Sequence, residues 1–356
     1  MNIVTSHHDY QDRTPYPGIE LNTWQAVGRA RVLYMNKLRL DLRSIKGIVA
    51  STPHDLIYLN SVFSYRFSIL PLLARRLGRL GDRPVLVASR GELGGGALAL
   101  SRSRERTYLR LAGRLGLFNG LHWQASSDQE AHEIAEALSV PSERIHVAPN
   151  LADLSQAMEI DSWQPPSAGC PLSIAFLSRI SRKKNLLQAL DLVAELARRH
   201  DPAPRFHVYG NVCDPAYWRE CLERISSLGV DHLVTLHGPL PHQAVRSTLA
   251  SHDLFLLPTL HENYGHVIME SLAAGTPVLI SDQTPWSAVA SRGAGWVCGL
   301  DDRQAFLDAV QELLSMDPGQ RRRQRRSAAD LAAERAADPQ VLASNRRLFQ
   351  AVARHG

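Results

Sequence analysis

This chain predicts an α/β fold class with two doubly wound parallel sheets, and three observations carry that expectation. Its 356 residues exceed what most single cores hold, so two domains of roughly 150 to 180 residues are the natural division. Short apolar, β-branched runs alternate with longer helix-period segments from end to end, as βα units around parallel sheets do. Near the middle, a stretch rich in Pro, Ser and Gly from Asp161 to Pro171 breaks the alternation as a linker does.

The elements follow in order. In the first half the strand candidates are Ile3–Ser6, Val32–Met35, Leu56–Asn60, Val85–Ser89, Leu121–Ser126 and Ile145–Pro149. After the linker come Leu172–Ser178, Phe206–Gly210, Leu233–Gly238, Leu254–Thr259, Pro277–Ser281 and Trp296–Cys298, and from Asp301 the pattern is wholly helical. The expected organisation is a first domain over 1–160, a linker over 161–171, a second domain over 172–335, and a terminal helix over 336–356 that returns to the first domain.

Composition narrows the class. With 44% apolar and 21% charged residues the chain reads as globular and soluble, and no apolar run approaches the roughly 18 residues of a membrane-spanning helix. The start, Met1-Asn-Ile-Val-Thr-Ser6, lacks the basic and apolar segments of a secretory signal, so a cytoplasmic location is expected. Cys170, Cys213, Cys221 and Cys298 form no C-x-x-C pair, which fits buried free thiols and no structural metal. His7, His8 and Asp9 resemble a metal cluster only superficially and read as a polar loop.

The net charge of +5 is unevenly spread: residues 64–118 hold 11 arginines against 3 acidic residues. No nucleic-acid module or interleaved aromatic pattern accompanies them, so nucleic acid is not an expected partner. Arg102, Arg106, Arg110 and Arg114 recur every four residues on one predicted helix, with Leu109, Leu111 and Leu115 as apolar contacts. Such a face suits either an ordinary surface helix or peripheral contact with the anionic inner face of a membrane. The run from Arg321 to Arg326 reads as a solvated helix face.

In open parallel sheets, ligands bind beyond the carboxyl ends of the strands, so the loops there matter most. Arg179-Ile-Ser-Arg-Lys-Lys-Asn185 places four cations between a strand and a helix start, where dipole and amide groups favour an anion such as a diphosphate. A solvated basic turn is the competing reading of this stretch alone. His261-Glu-Asn-Tyr-Gly-His-Val-Ile-Met-Glu270 follows another strand. Gly265 permits close approach of backbone to ligand, Glu262 and Glu270 suit sugar hydroxyls, and a carboxylate inside the apolar helix pattern requires a polar partner.

Together these residues resemble the retaining glycosyltransferases of family 4. The resemblance rests on Phe176–Asn185, His207-Val-Tyr-Gly210, Leu236-His-Gly-Pro-Leu240, Asp253–Pro258, Glu262–Glu270 and Ala274-Gly-Thr-Pro-Val278, in order across about 100 residues. It implies two Rossmann-like domains facing a cleft, the GT-B fold. It also implies a hexosyltransferase-type enzyme that moves a sugar from a nucleotide-diphosphate sugar to a saccharide or lipid-linked acceptor with retention, in cell-surface polysaccharide or glycolipid synthesis. The resemblance makes Arg179 and Lys184 the grip on the donor diphosphate and Glu262 the carboxylate near the donor sugar. Asn263, Tyr264, Gly265 and His266 would contact sugar and phosphate, Glu270 the ribose, and Gly210 with Gly238, Pro239 and Leu240 the nucleotide. No metal or other cofactor is expected, because the basic clamp supplies the charge stabilisation.

In the first half the resemblance is looser, through Asp55–Asn60, Ser89-Arg-Gly-Glu-Leu93, Trp123–Ser127 and Val147–Asn150. Arg90, Gly91 and Glu92 are acceptor-side candidates, against a plain turn with a solvated charge pair. His122 joins them, against a satisfied core histidine. Relatives open with a strand, a glycine-rich loop and a helix before the strand that Ile3–Ser6 matches. That first βα unit is missing here, which predicts either a start upstream of Met1 or a remnant that binds nucleotide sugars without turnover. A sugar-nucleotide epimerase on the same double sheet is the third reading.

Overall fold

The computed structural model describes residues 1–8, 14–36, 39–94, 103–151, 163–164 and 169–354. The chain folds as two compact units, Met1–Pro149 with Val341–Gly356, and Asn150–Gln340. The division falls ahead of the stretch 161–171, most of which lies outside the described residues. Of its described members, Trp163 packs within the second unit, 4.6 Å from the guanidinium of Arg325.

In the first unit the strands lie in two sheets. One has the order β1-β3-β2 and joins β1 (Asn2–Ser6), β2 (Trp24–Val27) and β3 (Ala30–Met35). The other runs β4-β5-β6-β7, all parallel, through β4 (Ile57–Asn60), β5 (Val85–Ala88), β6 (His122–Ala125) and β7 (Ile145–Val147). The strand β2 differs from the expectation: it forms an antiparallel hairpin with β3, turning at Gly28 with φ +56°. Only two side chains of the four-residue β2 are partly buried, too short an alternation to signal a strand.

Helices α1 (Leu42–Ser51), α2 (Leu70–Arg76), α3 (Ser103–Arg114) and α4 (Asp128–Leu138) connect these strands. Asp41 caps α1 in a reciprocal box with Ser44, satisfying amides that a helix start leaves unpaired. The core centres on Trp123, Val87, Leu72 and Phe118.

The second unit has one six-stranded sheet in the order β10-β9-β8-β11-β12-β13, all parallel. Its strands are β8 (Ser173–Leu177), β9 (Arg205–Tyr209), β10 (Val234–Gly238), β11 (Leu254–Leu257), β12 (Val278–Ser281) and β13 (Gly295–Cys298). In chain order this is 3-2-1-4-5-6, the doubly wound arrangement, whose order reverses between β8 and β11. Central strands are covered on both faces, every residue of β11 and of β12 being buried, and so read as continuous apolar runs.

Around this sheet run α5 (Leu186–Arg199), α6 (Pro215–Leu228), α7 (His242–Ala250), α8 (His266–Ala273), α9 (Ala288–Ser291), α10 (Arg303–Ser315) and α11 (Pro318–Ala337). The last helix, α12 (Pro339–Ala353), belongs to the first unit for most of its length. There Leu348 and Val352 pack with Leu86 and Ala148, and Asn345 Nδ2 donates to the Pro149 carbonyl at 2.8 Å.

The arginine run on α11 is not simply a solvated face. Arg325 is 3% exposed and donates to the carbonyls of His252 at 2.9 Å and Ala250 at 2.8 Å. Burial pulls its pKa down to about 10, with Asp253 opposing. A buried charge needs such partners, and they lie 73 and 75 residues away in sequence, where periodicity cannot show them. The thiols also differ from expectation: Cys221 and Cys298 are buried, but Cys170 is exposed.

Candidate functional site

The carboxyl ends of β8, β9 and β10 are held together by glycines. Gly210 has φ +135°, and a Cβ there would stand 1.7 Å from the Ser178 carbonyl oxygen, so only glycine allows the two strand ends to approach. Its amide donates to the Gly238 carbonyl at 2.8 Å. Gly238 meets nothing within 4 Å and requires glycine only for its φ of +74°. Beyond it Pro239 is exposed, while Leu240 packs against the core.

The basic turn after β8 is divided in its roles. Arg179 is exposed. Burial pushes the Cys213 thiol up, and the nearby charge of Arg179 partly offsets it. Arg182 turns away to pair with Glu220 and lies over the Tyr217 ring at 5.3 Å. The Lys183 carbonyl accepts from the Leu260 amide at 2.8 Å and the Thr259 hydroxyl at 2.9 Å, which stitches this turn to the loop after β11. Lys184 completes the join: its ammonium donates to Glu262, and the two side chains are only 11% and 13% exposed. Two residues 78 positions apart thus form one nearly buried ion pair.

Glu262 is fixed from behind, its amide donating to the Gln283 carbonyl at 2.9 Å. The Tyr264 carbonyl accepts from Trp286 Nε1 at 2.6 Å. Gly265 starts α8 in the left-handed region, φ +79°, and a Cβ there would lie 2.9 Å from Ile268 Cδ1 and 3.0 Å from Trp286 Nε1. No side chain caps this helix start. Asn263 and Tyr264 are half-buried beside it, and His266 is exposed with its ring 4.6 Å from that of Tyr264.

Glu270 lies one turn further along α8 with 22% of its side chain exposed. The polar partner expected for it is a loose one. Among the described residues its carboxylate makes no hydrogen bond, and His242 Nδ1 stands 3.7 Å away. Burial raises its pKa, with His242 and Arg246 opposing. Acceptor capacity facing partly outward is thereby left unused.

One cluster beside these loops joins His207, Tyr209 and His237, which lie in the sequence motifs, to Ser173 and His252, which do not. The register slips between Leu236 and Gly238, and His237 stacks on Tyr209 at 4.4 Å and 11°. Its Nε2 is 3.0 Å from His207 Nδ1. His252 lies beneath, 2.8 Å from Ser173 Oγ and 3.0 Å from the Tyr209 hydroxyl. Burial, then the neighbouring imidazoles, lowers the His252 pKa to about 4, so it is neutral at pH 7. His207 and Tyr209 stand two apart on one strand face, but no local pattern joins His252 to them.

In the first unit the acceptor-side candidates separate. Arg90, at φ +54°, is exposed and braced by Asn60 Oδ1 at 2.6 Å and the Tyr58 hydroxyl at 2.8 Å. Glu92 is not a solvated charge: it accepts from Ser61 Oγ at 2.8 Å and the Val62 amide at 2.6 Å, and burial raises its pKa. Gly91 donates its amide to Glu130 at 2.6 Å, a residue that no sequence motif singles out.

Glu130 is 2% exposed and also accepts from the hydroxyls of Ser89 at 2.5 Å and Ser126 at 2.7 Å, and from the Ser126 amide at 2.7 Å. Burial raises its pKa, but these hydrogen bonds outweigh it and leave the carboxyl below its ordinary value. His122 is separate from this loop: it opens β6 at the amino edge of the sheet, 2% exposed. There its Nδ1 lies 3.1 Å from His146 Nε2, and its Nε2 lies 3.0 Å from Arg144. The geometry is that of a satisfied core histidine.

Asp9 and Arg102 lie outside the described residues. Among those described, no three His, Cys, Asp or Glu side chains stand together as a metal site, and no helix is long and apolar enough to cross a membrane.

Comparison with known proteins places this geometry. Residues 158–330 match the family model described as glycosyl transferases group 1. A D-inositol 3-phosphate glycosyltransferase from Corynebacterium urealyticum is 29% identical over 223 residues, 60% of this chain and 51% of that protein. A 2-deoxystreptamine glucosyltransferase from Streptomyces kanamyceticus is 27% identical over 43% of this chain and 40% of its own length. The chain thus spans about half the length of the curated relatives it matches. Among solved structures, Anabaena HepE in complex with UDP-glucose superposes with a TM-score of 0.67 at 16% identity, covering 99% of both chains. Sucrose-phosphate synthase from Thermosynechococcus elongatus gives 0.70 at 16%, covering 98% of this chain and 89% of that one. At these identities the likeness shows the fold, two Rossmann-like units of the GT-B type.

Proposed function

We propose that this chain is a retaining glycosyltransferase whose second unit binds a nucleotide-diphosphate sugar and whose first unit takes a saccharide or lipid-linked acceptor, in cell-surface polysaccharide or glycolipid synthesis. The observation that carries the proposal is the Lys184–Glu262 pair. It joins the turn after β8 to the loop after β11, at the point where strand order reverses and ligands of open α/β sheets bind.

The chemistry follows from the charges. As the sugar–phosphate bond breaks, negative charge gathers on the departing diphosphate. Arg179, exposed, and Lys184, paired with Glu262, meet that charge without a metal ion. Glu262 keeps one oxygen beyond the ion pair for a donor hydroxyl, the uncapped start of α8 offers amides to phosphate, and Glu270 offers its unused acceptors to ribose hydroxyls. The histidine stack on Tyr209 holds Gly238, and with it the nucleotide loop.

A structural neighbour in complex with UDP-glucose makes that the first donor to try, and a panel of UDP- and GDP-sugars tests the reading. Release of nucleoside diphosphate with an acceptor present, unaffected by a chelator, is the expected result. Lys184→Ala should lower turnover by roughly 10²–10³-fold, the scale of one lost transition-state contact, with a smaller change in donor affinity. Donor binding without turnover would make the chain a nucleotide-sugar-binding protein. Interconversion of sugars without acceptor would make it an epimerase.

A further inference from the structure

Among its described residues, the first unit presents an exposed face on α3. Helix α3 turns Tyr108, Leu109 and Ala112 inward against Phe118 and its neighbours. Its outward side bears two ridges at i, i+4 spacing. Arg106, Arg110 and Arg114, all exposed, form one, and Leu111 and Leu115, 55% and 51% exposed, form the other.

The end of α2 is fastened to the end of α3. Arg76 Nε donates to the Leu115 carbonyl at 3.0 Å, and Arg75 donates to the Asn119 carbonyl at 2.9 Å. At this junction Leu77, 53% exposed, and the exposed Arg79 follow Arg76 in the chain. Among the described residues, Arg79, Arg106, Arg110 and Arg114 form no ion pair. Their positive charge is therefore left for a partner.

From this juxtaposition we infer that the α2–α3 face docks on an anionic lipid bilayer, with Leu77, Leu111 and Leu115 entering the interface and the flanking arginines on headgroup phosphates. Long arginine stems lie along apolar surface while their guanidinium groups reach the phosphate plane. Three leucines are too few for the buried core of a stable protein interface and add nothing to a phosphate backbone in water, whereas an interfacial helix uses both features at once. The inference rests on the proposed transferase reading in one respect: it selects the lipid-linked class of acceptor.

Sedimentation of the full chain with vesicles of phosphatidylcholine, with and without phosphatidylglycerol, tests it. Binding should require phosphatidylglycerol and fall with added salt. The triple variant R106Q/R110Q/R114Q should partition roughly a hundredfold more weakly, at about 1 kcal/mol per arginine and about tenfold per 1.4 kcal/mol. L111S/L115S should weaken binding at unchanged charge. Both variants alter exposed side chains, so their melting temperature and its rise with nucleotide should match the parent's. Equal binding to both vesicle types, no binding, or a triple variant that binds like the parent would overturn the inference, as would RNA or DNA competing the chain off the vesicles. No donor is present in this assay, so a failed transferase assay leaves its outcome readable, and the reverse also holds.

Discussion

Glu92 and Glu130 of the first unit stand in a loop and a helix that follow strands of a parallel sheet, as Glu262 and Glu270 do in the second, yet the two pairs are used differently. Glu130 accepts four hydrogen bonds from Ser89, Gly91 and Ser126, and Glu92 ties down Ser61 and Val62. Both serve their own backbone. Glu262 instead holds a lysine, and Glu270 has only His242 at 3.7 Å. A fold that completes its hydrogen bonds gains rigidity there; one that leaves acceptors incomplete near the surface keeps them for a ligand.

This contrast can be broken, and the first-unit carboxylates give the largest effects. Glu130→Ala leaves buried hydroxyls and amides without an acceptor and should cost roughly 3 kcal/mol. Urea unfolding, with amide exchange at Gly91 and Ser126 as the local readout, would show it. The pH dependence has a definite sign. Glu130 titrates below its unfolded value in the fold, so its contribution is complete above that value and is lost as pH falls through the folded one. The variant should therefore flatten the acid limb of the stability curve, and an unchanged limb would remove Glu130 from this role.

Glu92→Ala should cost less, roughly 1–2 kcal/mol, because burial raises its pKa and offsets part of what its bonds to Ser61 and Val62 contribute. Arg90, braced by Asn60 and Tyr58 rather than by Glu92, should keep its place, seen as an acceptor KM close to the parent's.

The smallest effect should come from Glu270→Gln and should have the opposite sign. Its folded pKa lies above the unfolded value because of burial, so the ionised form opposes folding as pH rises past the unfolded value. The amide removes that cost, and the unliganded chain should melt slightly higher at pH 7 while nucleotide binding weakens. A loss of stability comparable to that of Glu130→Ala would erase the contrast between the units.

Much of this is legible in the residues alone. The six strands of the second unit lie where apolar runs place them, most directly β11 and β12, whose burial on both faces shows their length. Gly210 stands out at a strand end and Gly265 at a helix start; the first site admits no Cβ, and the second combines a crowded Cβ position with a positive φ. Lys184 and Glu262 each stand out in their own loops, and the structure joins them. Glu130 is hidden, since Ser126-Ser-Asp-Gln-Glu130 reads as a polar helix start and two of its partners, Ser89 and Gly91, lie 41 and 39 residues away. The burial of Arg325 is hidden for the same reason, its acceptors being on segments 73 and 75 residues distant. His122 needs the strand direction to show which edge of the sheet it occupies.

The sequence by itself determined what acts locally: which stretches become strands and helices, because side-chain period and backbone sterics act over a few residues, and which turns require glycine, because positive φ is a property of one residue. Tertiary structure alone decided which charge meets which. Ion pairs and buried hydrogen bonds form between segments that the sheet order brings together, and whether Glu130 becomes a strut or Glu270 keeps free acceptors depends on the groups delivered to it from elsewhere in the chain.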